Sequence, residues 1–244
     1  MSQILLVRHG QNEWVSKNRL AGWTPGVHLD DQGKNEVILL AERLAHLPIR
    51  AIYSSPLERC LETADPIAKS HGLETIELEE VGEVRYGKWE GKKIKKLAKK
   101  RSWYAVQHYP SRFQFPGGET MRQVQQRAVN AIENLGKRHA EEMIVVVSHA
   151  DVIKLLMAHY LGLHIDLFQR IGISPASISM LAISKSGPVR VLRMNDYGPI
   201  KSFKKESKKE HDFPDTGGTA AGSGAQSAAH SAVHSATHSN EEEE

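Results

Sequence analysis

Short, fully apolar runs alternate along this chain with longer stretches in which apolar residues recur every third or fourth position. Residues 4–7 and 143–147 are runs of the first kind. They are too short for helices and predict strands buried on both faces. Residues 51–54 predict another. Residues 32–47 place Val37, Leu40, Ala41 and Leu44 on one face and stop at Pro48, which predicts a helix. Residues 120–135 repeat that pattern through Met121, Val124, Ala128, Ala131, Ile132 and Leu135. The Ser55-Pro56-Leu57-Glu58 stretch has the form of a capping box with proline at the first helical position, so a helix is expected to start there with Arg59 in its first turn. Asp151 is expected to cap a further helix after His149. Residues 177–183 and 189–194, joined around Ser186 and Gly187, predict a terminal strand pair. Strands alternating with amphipathic helices predict an α/β fold.

Two of the strand-like runs end alike. Residues 4–7 stop at Arg8, His9 and Gly10, and residues 143–147 stop at Ser148 and His149. In open α/β sheets the ligand crevice lies at the carboxyl ends of the strands, so Arg8, His9, Arg59 and His149 are expected around one crevice. Two guanidiniums offer rigid forks of donors that match phosphate oxygens. A neutral imidazole beside them can attack phosphorus and form a covalent phosphoenzyme, dividing one hard displacement into two easier ones. Such chemistry calls for no metal and no organic cofactor.

Composition narrows the setting. The 244 residues, 40% hydrophobic and 25% charged, suffice for a self-supporting core. Cys60 is the single cysteine, which excludes an intrachain disulfide and favours a reducing compartment. No run of about 18 apolar residues and no signal-peptide pattern is present, so a soluble cytoplasmic protein is expected, without membrane association. The net charge is +3. Residues 1–200 carry 27 Lys+Arg against 21 Asp+Glu, so the body is mildly basic and suits anionic ligands. Residues 88–101 hold eight basic residues and one acid around Ile94, Leu97 and Ala98, predicting an amphipathic helix with a positive outer face, either simply solvated or a rim that attracts polyanions. No basic–aromatic alternation surrounds Trp14, Trp23 or Trp89, so these read as packing residues and nucleic acid is not an expected partner. Residues 1–200 are expected to form the catalytic domain. Residues 201–244, rich in Lys and then in Gly, Ala, Ser and His, are expected to be a disordered low-complexity tail, in which His230, His234 and His238 sit four apart.

The motifs add a family. RHG at 8–10, SSPLER at 54–59 followed by Glu62-Thr63-Ala64, Glu83 with Tyr86-Gly87 and Trp89-Glu90-Gly91, PGGE at 116–119 and VSH at 147–149 together resemble the histidine phosphatases, the phosphoglycerate-mutase-like superfamily. The resemblance implies a three-layer α/β/α fold with a mostly parallel central sheet. It implies that His9 is the phosphorylated nucleophile, that Arg8, Arg59 and His149 hold the transferring phosphoryl group, and that Glu83 donates and then accepts the proton. Asn12, Asn18 and Tyr86 are the further expected contacts to a small phosphorylated substrate. The chain departs from the family pattern where Gln11 and Asn12 follow RHG, where Val15 replaces an asparagine, and where Ala150 replaces glycine after the second histidine. Asn12 or Asn18 must then supply the donor lost at Val15.

Three activities stay open: a phosphomonoesterase, a phosphoglycerate-mutase-type phosphomutase, and a non-catalytic phospholigand-binding scaffold. In mutases of this family a long segment between the acid and the second histidine covers the site. Here Glu83 and His149 are 66 positions apart, which favours the phosphatase. The oligomeric state, a homodimer included, and the physiological substrate are not encoded in any motif.

Overall fold

The computed structural model describes residues 1–198. In chain order the elements are β1 (Ser2–Arg8), α1 (Glu13–Ser16), α2 (Asp31–Leu44), β2 (Ile49–Ser54), α3 (Glu58–His71), β3 (Thr75–Glu77), α4 (Ile94–Leu97), α5 (Arg101–His108), α6 (Met121–Arg138), β4 (Met143–Ser148), α7 (Ala150–Tyr160), β5 (Ile178–Ile183) and β6 (Arg190–Asp196). The six strands form one sheet in the order β3-β2-β4-β1-β5-β6. The pairs β3–β2, β2–β4 and β4–β1 are parallel, while β5 joins β1 and β6 joins β5 antiparallel. The expected mostly parallel sheet is therefore found, with an antiparallel edge.

The central strands are apolar throughout because both of their faces are covered. Ile4, Leu6, Ile144 and Val146 point into a core built with Val124, Ile132, Ile153 and Leu156 of α6 and α7. Leu5, Val7, Val145 and Val147 point the other way, onto Leu40, Leu44, Cys60 and Ile67 of α2 and α3. Successive side chains on a strand alternate between faces, so two helical layers enclose one sheet. Helix α6 starts at a complete capping box, in which the Thr120 side chain accepts from the Gln123 backbone and Gln123 reaches back to Thr120.

Three local expectations fail. Ser55 caps no helix: its N–H goes to the Val147 carbonyl and its hydroxyl to His149, so α3 starts two residues later than expected, at Glu58 after Leu57, with no side-chain cap. Asp151 lies inside the first turn of α7, with His149 at the cap position, and its carboxylate is held by Tyr86 and Lys154. Residues 88–101 do not form one helix. Lys93 bridges Arg19, Gly91 adopts φ +75°, and Ile94 donates to the Asn18 carbonyl, so the stretch folds as a turn, the single turn of α4, and only then α5. Leu97 is still fully buried and the lysines still face outward.

The tail at 201–244, with His230, His234 and His238, lies outside the described residues. Among the described residues no helix is long and apolar enough to cross a membrane.

Candidate active site

Parallel pairing of β1 with β4 sets Arg8 opposite Ser148, and the His9 N–H donates to the Ser148 carbonyl at 3.0 Å. The two strands therefore release His9 and His149 side by side at the carboxyl edge. The imidazole centroids are 5.3 Å apart, with planes at 60°. Arg59, from the first turn of α3, reaches under them: one of its Nη atoms is 3.2 Å from His149 Nδ1 and donates to the Gly22 carbonyl at 3.0 Å. Arg8 anchors one Nη on the Ile173 carbonyl at 2.7 Å. Glu83 brings Oε2 within 3.7 Å of His149 Nδ1, and its Oε1 accepts from the Val84 N–H. All five side chains predicted to carry chemistry thus lie in one place.

The partners fix the proton of His9 and leave that of His149 free to move between its nitrogens. His9 Nδ1 lies 2.8 Å from the Gly10 carbonyl oxygen, which can only accept, so Nδ1 carries the hydrogen and Nε2 keeps its lone pair. Burial, then the charges of Arg59 and Arg8, hold the His9 pKa well below its usual value, so the ring stays neutral. His149 is kept neutral by burial and by Arg59. Its Nε2 meets the Ser55 hydroxyl at 2.8 Å. A hydroxyl donates as readily as it accepts, so Ser55 permits either tautomer, and Nδ1 can turn from an acceptor toward Arg59 into a donor toward an anion. Glu83 moves the opposite way. Burial first, and the neighbouring Asp151 carboxylate second, push it up to about 7.

The pocket at these groups is lined by Asn12, Asn18, Tyr86 and Asp151 as well, together with Trp14, Val15, Arg19 and Ile94. Asn12 Oδ1 caps α1 by accepting from Trp14 and Val15. Its Nδ2, in contrast, is buried without a partner, as are Arg8 Nε and one Nη of Arg59. Among the described residues these three account for every unpartnered buried side-chain nitrogen. An orphaned buried donor costs about 1–3 kcal/mol, and more when charged, so three on residues lining one pocket suit an anionic ligand. Tyr86 donates to Asp151 at 2.9 Å.

Four further residues take part to which the sequence assigned no role in the site, although Ser55 and Thr63 stand within the quoted motifs. Ser55 orients His149. Thr63 accepts from the Gly10 N–H at 3.1 Å and donates to the Arg59 carbonyl, tying the RHG turn to α3. Asp151 sits beside Glu83, and Trp23 donates from Nε1 to the Glu83 carbonyl at 2.6 Å. Ser55 lies 94 positions from His149, Thr63 53 from Gly10 and Trp23 60 from Glu83, so tertiary pairing makes these contacts. Trp89, in contrast, is core, packed on Trp103, Phe113 and Phe115.

Fold and pocket together define an α/β protein built to handle a small anion at the strand ends of its sheet. The chain belongs to the histidine phosphatase superfamily (branch 1), whose family model matches residues 4–197. It is 31% identical over 214 residues to phosphoserine phosphatase 1 of Hydrogenobacter thermophilus, covering 86% of this chain and 99% of that protein. It is 32% identical to the metal-independent phosphoserine phosphatase of Arabidopsis thaliana, over 64% of this chain and 67% of that one. Among solved structures, YhfR of Bacillus stearothermophilus superposes with a TM-score of 0.76 at 27% identity, covering 80% of this chain and 98% of that one.

Proposed function

We propose that this chain hydrolyses a small phosphomonoester through a phosphohistidine on His9, with no metal taking part. The observation that carries the reading is the ring of orphaned donors on Arg8, Asn12 and Arg59 beside an imidazole whose Nε2 is unprotonated. A phosphate dianion satisfies all three donors at once. His9 Nε2 attacks phosphorus in line, the bond to the substrate oxygen breaks, and the protonated Glu83 carboxyl hands its proton to that oxygen as it leaves. The alcohol departs. Water then attacks the phosphohistidine, Glu83 takes its proton, and cleavage of the P–N bond returns neutral His9 and inorganic phosphate. Fixed guanidiniums, the Asn12 amide and His149 cover the equatorial oxygens, which is where charge accumulates in such transfers. Asn12 fills the place left by Val15.

The substrate reading follows from the pocket wall. Arg19 lines the pocket with a cation and Asp151, also held by Tyr86 and Lys154, with a carboxylate, charges of the signs that suit the carboxylate and ammonium of an amino-acid head group. The two relatives named for phosphoserine support the same choice. O-phosphoserine is therefore the first compound to assay, beside 3-phosphoglycerate in both a phosphate-release and a mutase assay. Isomerisation of the glycerate ester in place of release would overturn hydrolysis in favour of a mutase.

His9→Ala is expected to abolish phosphate release from p-nitrophenyl phosphate, while a chelator leaves the wild type unchanged. Quenching the wild type into alkali during turnover of 32P-labelled substrate should trap one label on His9. Chelator sensitivity, or label found elsewhere, would sink the reading.

A further inference from the structure

The PGGE motif at 116–119 and the residue Arg127 touch no part of the pocket, yet they hold the segment that delivers Glu83. Arg127, on α6, forms a two-pronged pair with Glu119: Nε is 2.9 Å from Oε1 and one Nη is 3.0 Å from Oε2. Its remaining hydrogens go to three carbonyls within four residues of the acid-bearing segment, Glu80 at 2.6 Å, Gly82 at 2.9 Å and Glu83 at 2.9 Å. The Glu83 carbonyl receives a second bond from Trp23. Glu119 is engaged on its other side as well, since its Oε2 accepts from the Arg85 N–H at 2.9 Å and its own N–H donates to the Arg85 carbonyl. A Cβ at Gly118 would run into that same Arg85 carbonyl, so glycine is needed there for the approach. The Arg85 guanidinium lies 3.8 Å over the Trp23 ring, which closes the circle.

We propose that Glu119 and Arg127 are positioning residues whose task is to fix the backbone of residues 80–85, and through it the distance of the Glu83 carboxyl from the leaving oxygen. The geometry is specific to that task. Arg127 is a planar fork locked by a carboxylate, and three carbonyls sharing its hydrogens cannot move independently. Nothing else in α6 reaches the acid segment so directly, and the pair is four-fifths buried, so it is shielded from solvent competition. Release of the brace leaves His9, Arg8 and Arg59 in place, because Arg8 ends β1, His9 follows it tied to the Ser148 carbonyl, and Arg59 stands on α3. Only the proton transfer is then impaired.

The inference rests on the phosphohistidine reading and has a signature of its own. Arg127→Lys and Glu119→Gln, both mild, are compared with wild type on two esters with the same phosphoryl group: p-nitrophenyl phosphate, whose nitrophenolate leaves without a proton, and β-glycerophosphate, whose alkoxide needs one. A positioned acid contributes on the order of 100-fold, so the variants should lose phosphorylation of the enzyme by glycerophosphate by roughly that factor. Nitrophenolate release should keep its first-turnover rate, then slow after one equivalent, since the displaced carboxyl also fails to activate water. Equal losses on both esters would mean a merely structural role, and no loss on either would mean no role, and each overturns the proposal. A wild type that never carries label on His9 would instead strike the underlying function.

Discussion

Glu83 must be a carboxylic acid when substrate arrives and a carboxylate one step later, and its surroundings meet that demand by raising its pKa to about 7. Burial is the larger cause and the Asp151 charge the next. The sign is therefore fixed for a test: Asp151→Asn removes a negative neighbour and lowers the Glu83 pKa. The carboxyl then loses its proton at lower pH, and the alkaline fall in kcat/KM for an alkyl phosphate moves to lower pH. At pH 7 the rate should drop roughly threefold to tenfold, since one pKa unit is a tenfold change in protonation. An alkaline limb that stays in place, or moves up, would remove Asp151 from the acid's environment. The sequence disclosed His9 and His149 because a charged imidazole-bearing triplet at the end of an apolar run has few structural uses. It concealed Ser55 and Asp151 because serine and aspartate near a helix start also have ordinary capping roles, and only the fold shows that both side chains are committed elsewhere.

Among elements, the strands and the long amphipathic helices were legible because their periodicity survives burial on one or two faces. Boundaries and short pieces were less so. The lysine-rich stretch at 88–101 has helical spacing, yet its backbone hydrogen bonds go to the loop at 18–20 and split it. That long-range competition is invisible to a local pattern. Helix α2 shows the same dependence on a distant neighbour. Gly33, in its first turn, abuts the Gln11 backbone just after the RHG turn, where a Cβ would overlap the carbonyl oxygen. Gly33→Ala should therefore cost about 1–3 kcal/mol, the usual range for overpacking. Thermal denaturation measures the stability and phosphate release the accompanying loss of activity. An unchanged melting temperature would show that the 9–11 turn yields freely.

Across residues 1–198, exposed lysines crowd one stretch beside the pocket. Lys88, Lys92, Lys93, Lys95, Lys96, Lys99 and Lys100 are all exposed, and they flank Ile94, which lines the pocket. If these charges steer a dianion to the pocket, they do so through a field that salt screens over about 10 Å at 0.1 M. Between ~10 mM and ~300 mM salt, kcat/KM should fall severalfold while kcat holds, because steering acts on encounter and not on the buried site. Gln in place of Lys95 and Lys96 should flatten that slope, and an unchanged slope would place the attraction elsewhere.

The ladder between β1 and β4 has one more implication. Hydrogen-bonded strands shift against each other only in whole residues, and a one-residue slip turns every side chain to the opposite face. The pairing of Arg8 with Ser148 is thereby all-or-none, and substitutions in the loops around the pocket leave the two strands releasing His9 and His149 side by side.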